Sequence, residues 1–249
     1  MKTKSCPLPR MICRRIICFF RTEVVSLHLK DTIIMKHIID IDTWERRDNY
    51  LFFKGALNAW VDMTTEIDCT RAFDEAKKNG TSFFTRYLYA VLRAANEVKE
   101  YRYRKDKNGN VCLYDRIDCI TPIAVPGRTF YSVRIPYVED YTTFYQQARH
   151  IIDHIPHDRD PYELDKQLLE EGDFDVLCLS ATPKLFFTAV TYPQVAVGRG
   201  QNFPLMNVGK AVLRGDRRIF PLSFSVSHEF VDGPHNAAFV EKVQQYMEE

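Results

Sequence analysis

The stretch FPLSFSVSHEFVDGPHNAAF, residues 220–239, changes period halfway along. Up to Ser227, apolar and small polar residues alternate. Leu222, Phe224 and Val226 fall on one face and Ser223, Ser225 and Ser227 on the other, which predicts a strand with one face in a core. By the same parity His228 continues the apolar face. Asp232-Gly233 then signals a turn, and Phe239, Val243, Tyr246 and Met247 follow at helical spacing. A histidine therefore stands where a strand runs out into a turn and a helix. A core histidine satisfied by a backbone carbonyl is the plain structural explanation of such a residue, and a base at the mouth of a site is the functional one.

The chain has 249 residues, 45% of them hydrophobic and 27% charged, and no apolar run approaches the ~20 residues of a membrane-spanning helix. This composition predicts a soluble globular protein with no membrane partner. A formal net charge of +1 gives no general attraction to nucleic acid. The charge is uneven: residues 1–34 carry seven Lys/Arg against two Asp/Glu, or +5, which leaves −4 on the remainder. In that segment the apolar run IICFF stops at Arg21, short of the about 7–15 residues of a secretory signal. Residues 1–34 read as a poorly ordered basic extension or a mis-assigned start, with a single domain over 36–249. Cys6, Cys13, Cys18, Cys69, Cys112, Cys119 and Cys178 show no CxxC spacing, so reduced thiols in a cytoplasmic protein are expected.

Downstream of Met35 the pattern predicts a short strand, a cap at Asp42 or Thr43, and a helix start carrying Arg46 and Arg47. Helices are expected over roughly 68–78, over SFFTRYLYAVLRAANEV, over 140–154 and over 161–171. Hairpins are expected to turn at Asn108-Gly109 and near Gly215-Asp216, with further strands around 117–125, 130–136, 176–180 and 186–191. Helices and strands mix without a regular βαβα rhythm, and no glycine-rich phosphate loop, internal repeat or long linker occurs. The expected class is α/β, with a mixed sheet and flanking helices rather than a doubly wound parallel sheet.

The segment SVSHEFVDGPH, followed by an amphipathic helix, resembles the His-His-x-x-x-Asp-Gly-x-His active-site segment of the chloramphenicol acetyltransferase family. DTWERRDNYLFF is similar to the family's Trp-x-Arg-Arg segment, VCLYDRID to its strand before the substrate loop, and LSATP to its Ser-Ala-x-Pro segment. The likeness spans residues 36–249. It implies a coenzyme A-dependent acyltransferase fold, a two-layer sandwich of a mixed, mostly antiparallel sheet with helices. It also implies acetyl-CoA as donor, a hydroxyl acceptor with chloramphenicol the first choice, and a cytoplasmic homotrimer with active sites between subunits.

An alcohol is a poor nucleophile at neutral pH, so a positioned base must take its proton as it attacks a thioester carbonyl. A free imidazole, with a pKa of about 6.5, is largely neutral at pH 7 and suits that task. The resemblance assigns the base to His228 and the oxyanion donor to Ser180 of LSATP. It makes Asp232 the partner of Arg46 and no relay to the histidine, and Gly233 the residue whose turn geometry a side chain would obstruct. It gives His235 a supporting place, matches the acceptor pocket to Phe53, Leu57, Ala59 and Ile123, and leaves Lys210 and Asn207 as candidates for coenzyme A.

His150, His154 and His157 raise a metal reading, but Pro156 breaks the helix before the third and no H-E-x-x-H arrangement occurs, so no metal is expected. The chain departs from the family pattern at Ser227, Pro234 and Lys184, where the family carries histidine, an aromatic residue and often tryptophan, and its loop TPIAVPGRTF lacks the usual aromatics. Acyl transfer to another alcohol, a dihydrolipoyl acyltransferase-like core and a non-catalytic small-molecule binder are the competing readings.

Overall fold

Strand β10, Arg217–Ser227, is the alternating segment, and its apolar face is buried as the periodicity requires: Leu222, Phe224 and Val226 are each at most 1% exposed. The computed structural model describes residues 35–56, 59–127, 130–156, 160–172, 174–193 and 203–249, all within one compact unit, Ile34–Glu249. In chain order its strands are β1 (Lys36–Ile38), β2 (Trp60–Asp68), β3 (Tyr103–Lys105), β4 (Val111–Tyr114), β5 (Asp118–Ile123), β6 (Tyr131–Ile135), β7 (Val176–Thr182), β8 (Leu205–Gly209), β9 (Val212–Arg214) and β10. The helices are α1 (Arg47–Phe53), α2 (Thr70–Asn79), α3 (Phe83–Glu97), α4 (Tyr141–Asp153), α5 (Glu163–Glu171) and α6 (Gly233–Glu248).

The main sheet runs β2-β10-β8-β7-β5-β6, with β9 also paired to β10. Only β5–β7 and β7–β8 pair in parallel; the other four pairings are antiparallel. A smaller sheet, β1-β4-β3, stands apart and turns at Gly109 with φ +79°, a conformation that favours glycine. Helix α3 begins at a Ser82 cap and α4 at an Asp140 cap, each side chain accepting the backbone N–H three residues on. Along α3, Leu88, Val91, Leu92 and Ala95 are fully buried, in one core with α6 residues Phe239 and Val243 and with the apolar face of β10. Fully burying a leucine, valine or phenylalanine side chain contributes about 1.5–3 kcal/mol. A second, smaller core of Ile120, Leu168, Phe174, Val176, Phe203 and Leu205 forms under α5.

The expected class and the mixed, mostly antiparallel sheet are as read from the sequence. Three elements differ. Strand β2 carries its alternation in a muted form, with Val61, Met63, Thr65 and Ile67 on one parity, and its whole length pairs with Ile219–Ser227 of β10. The segment 205–209 is a strand, β8, between β10 and β7. Residues 186–191, read as a strand, form none: this segment crosses the sheet's end, where Phe187 is buried and Lys210 N donates to Leu185 O. Gly209 makes that crossing possible, because a Cβ there would lie 2.5 Å from Pro221 Cγ and 2.8 Å from Phe187 Cε1.

Candidate active site

His228 is the first residue past β10, and its backbone N–H donates to Ala59 O at 2.6 Å, which extends the β10–β2 ladder by one bond beyond the Ser227–Trp60 pair. The chain then folds back on itself. Ser227 O accepts from both Phe230 N and Val231 N at 3.0 Å, which brings Val231 O to 3.0 Å from His228 Nδ1. A carbonyl oxygen only accepts, so Nδ1 carries a proton in this arrangement and the neutral ring has its lone pair on Nε2. Phe53, at the end of α1, stacks on the imidazole with centroids 4.1 Å apart and planes 21° from parallel.

Asp232 caps α6 and is held from several sides. Arg46 Nη1 donates to its Oδ2 at 2.8 Å and Asn49 Nδ2 to the same oxygen at 3.2 Å. His235 completes a capping box, its Nδ1 accepting the Asp232 backbone N–H at 3.0 Å. Burial opposes ionisation of Asp232, but the Arg46 hydrogen bond and charge, with His235 and His228, outweigh it and hold the carboxyl below its ordinary value. The Arg46–Asp232 pair stands as expected. Asp232 is close to the histidine without being hydrogen-bonded to it: its buried Oδ1, which accepts no hydrogen bond, lies 3.2 Å from His228 Nδ1, whose own hydrogen bond goes to Val231 O. The conformational reason given for Gly233 fails. It is the first residue of α6, its φ is not positive, and a Cβ there would meet nothing within 4 Å.

Ser180 stands elsewhere. On β7 it pairs with Asn207 of β8, which pairs in turn with Ser223 of β10, so these three residues are level across the sheet. His228 is five residues further along β10. At about 3.3 Å per residue and about 4.8 Å per strand, Ser180 and His228 of one chain are on the order of 19 Å apart. Asn207 Oδ1 accepts from Thr182 Oγ1 at 3.1 Å, and Lys210 is exposed past the end of β8. The site residues thus divide into two separate groups along the sheet. His228, Asp232, Arg46, His235, Phe53 and Ala59 form one, and Ser180, Asn207 and Lys210 the other. Ile123 packs against the main core, and Leu57 lies outside the described residues.

Burial pushes Cys69 and Cys178 up to about 12 and Cys119 well above the ordinary thiol value. His150 and His154 share an exposed face of α4 with ring centroids 4.4 Å apart, while His157 lies outside the described residues. No cluster of three or more His, Cys, Asp or Glu that could hold a metal occurs among the described residues.

With this geometry in hand, the profile of the family "Chloramphenicol acetyltransferase" matches residues 35–244. The chain belongs to the chloramphenicol acetyltransferase family. A solved chloramphenicol acetyltransferase shares 46% identity and superposes with a TM-score of 0.82, covering 86% of this chain and 100% of its own. The chloramphenicol acetyltransferase of Escherichia coli is 26% identical over 215 residues, 85% of this chain and 93% of its own. That of Campylobacter coli is 27% identical over 210 residues, 84% and 97% of the two chains. The cubic core of the pyruvate dehydrogenase multienzyme complex shares the fold at 15% identity, with a TM-score of 0.53 and coverage of 93% and 97%.

Two features of the His228 group escape sequence reading. The Val231 carbonyl that fixes the ring has no side-chain signature at all. Phe52, 77% exposed and edge-on to Phe53 at 4.9 Å, sits in plain view in LFFK but carries no period to mark it as a surface aromatic.

Proposed function

We propose that this protein is an acetyl-CoA-dependent O-acetyltransferase acting on chloramphenicol, with His228 as general base. The observation that carries the reading is the bond from His228 Nδ1 to Val231 O, which leaves Nε2 as the ring's free acceptor. In the reaction Nε2 takes the acceptor's hydroxyl proton while the alkoxide oxygen bonds to the thioester carbonyl carbon. The resulting oxyanion is met by the Ser180 hydroxyl. Collapse breaks the carbon–sulfur bond, and the coenzyme A thiolate recovers the proton from Nε2. Asp232 Oδ1 at 3.2 Å favours the imidazolium that exists between those transfers.

Ser180 and His228 cannot meet within one chain, and this supports active sites that lie between subunits, each taking His228 from one chain and Ser180 from the next; the family resemblance implies that the assembly is a cytoplasmic homotrimer. Asn207 and Lys210, level with Ser180 or just past it, are then placed for the donor. Phe53 and Ala59 beside the base, with the exposed ring of Phe52, give the acceptor side an aromatic surface that the loop TPIAVPGRTF does not. Ile123 is a further pocket residue in this reading. The catalytic domain in this reading spans 36–249, in keeping with a family match that begins at residue 35.

The test is release of free coenzyme A thiol from acetyl-CoA by purified protein, with chloramphenicol, a panel of other hydroxylated acceptors, and no acceptor. Rapid turnover with chloramphenicol is expected. Faster turnover of another alcohol would demote the antibiotic, and acetyl-CoA binding with no turnover of any acceptor would favour a non-catalytic binder.

A further inference from the structure

The residue after the base is a buried carboxylate. The Glu229 side chain is 6% exposed, and Lys105 Nζ reaches both its oxygens, at 2.7 Å and 3.0 Å. Lys105 ends β3, so this pair joins the small sheet to the turn that carries His228. The far side of the joint is itself anchored. Arg104, 1% exposed, donates to the carbonyls of Tyr101, Tyr103, Phe174 and Val176 at 2.7–2.9 Å, pinning β3 to the start of β7. On the near side, Glu229 N donates to Ser227 Oγ at 3.3 Å, and Phe230 stacks on Tyr50 with planes 9° apart.

We propose that Lys105 and Glu229 are a positioning pair that holds the 227–231 turn, and with it the Val231 carbonyl and the His228 ring, in the geometry acetyl transfer requires. The inference rests on the reading of His228 as the base. A carboxylate this buried needs its cation, and a turn fastened only by its own backbone bonds would leave the ring several ways to sit. The pair is fastened to the turn that carries His228, so it acts through that residue. A small displacement of a base weakens turnover far more than substrate binding.

The pair's stabilising role and its positioning role separate experimentally. Lys105→Met should lower kcat about tenfold or more with KM for acetyl-CoA nearly unchanged, and Lys105→Arg should recover most of the loss. The double variant Lys105→Met/Glu229→Met removes both charges and leaves no orphan, so its melting temperature should return toward wild type while kcat stays at least about fivefold down. Recovery of kcat to within twofold of wild type together with melting temperature would overturn the proposal, leaving the pair a brace only. Should the methionine variants not yield folded protein, the near-isosteric Glu229→Gln decides: a severalfold loss of kcat at constant KM is expected, and wild-type kcat would sink the idea. His228→Ala, assayed in parallel, separates this failure from that of the underlying reading, because full turnover by that variant removes the base assignment itself.

Discussion

The phenyl ring of Phe53 lies face-on against the imidazole of His228, at a centroid separation of 4.1 Å. With Nδ1 tied to Val231 O, the stack fixes the ring's second degree of freedom, the tilt about its own long axis. Aromatic pairs of this kind contribute about 0.5–1.5 kcal/mol beyond area burial. Phe53→Leu should therefore lower kcat about two- to tenfold, with KM for acetyl-CoA unchanged and any rise in KM confined to the acceptor. Phe53→Tyr should keep near wild-type kcat. Steady-state kinetics in both substrates check this, and an effect on the donor's KM alone would contradict it.

Arg46 and Asp232 make a charged pair with side chains 10% and 23% exposed, so removing one partner leaves the other charge stranded. Arg46→Ala and Asp232→Ala should each cost about 3 kcal/mol, and the double substitution less than their sum. The pair also has a pH signature. Asp232 ionises below its ordinary value in the folded chain, so its contribution is complete above the unfolded value of about 4 and is lost as pH falls through the lower folded value. Between pH 5 and pH 2 wild type should lose stability more steeply than the double variant, measured as urea midpoints at fixed protein concentration. Parallel slopes, or strict additivity of the single variants, would mean that the two groups do not support one another.

Deleting residues 1–34 should leave turnover and melting temperature essentially as they are, because the family match begins at residue 35. Circular dichroism melts and the thiol-release assay on the shortened chain check this. A drop of several degrees in melting temperature would show that the basic segment belongs to the folded domain.

How far the sequence could be read follows from what kind of regularity each feature leaves in it. The strand into His228 and the helix beyond Asp232 are legible because apolar residues recur on one face with a period of two and then of about 3.6, even though the serine face of the strand is buried as well. Family likeness supplied the Arg46–Asp232 pairing, which no spacing encodes across 186 positions. Strand β2 hid because Thr64 and Thr65 interrupt its contrast, and 186–191 looked like a strand because FFTAVT has strand composition while the close approach at Gly209 bends it across the sheet's end. Sheet order leaves no local trace, so the distance between Ser180 and His228 emerged only from the register of β7, β8 and β10. The Lys105–Glu229 joint is invisible for the same reason.

That distance gives the most demanding prediction. Ser180→Ala should lower kcat about 10²-fold with little change in donor affinity, as loss of one oxyanion donor does, and His228→Ala should lose several orders of magnitude. If each active site draws His228 from one chain and Ser180 from its neighbour, the two defects complement in mixed assemblies. In a cyclic trimer containing both variants, one of the three junctions joins an intact His228 to an intact Ser180. Random mixing at equal amounts makes three trimers in four mixed, so about one site in four should be wild type. Two nearly inactive proteins, unfolded together and refolded as a mixture, should then recover about a quarter of wild-type activity, while the same proteins refolded separately and combined should not. No recovery in a mixture shown by mass spectrometry to contain mixed trimers would place both residues in the same chain's site, and the register of the sheet would have to be wrong.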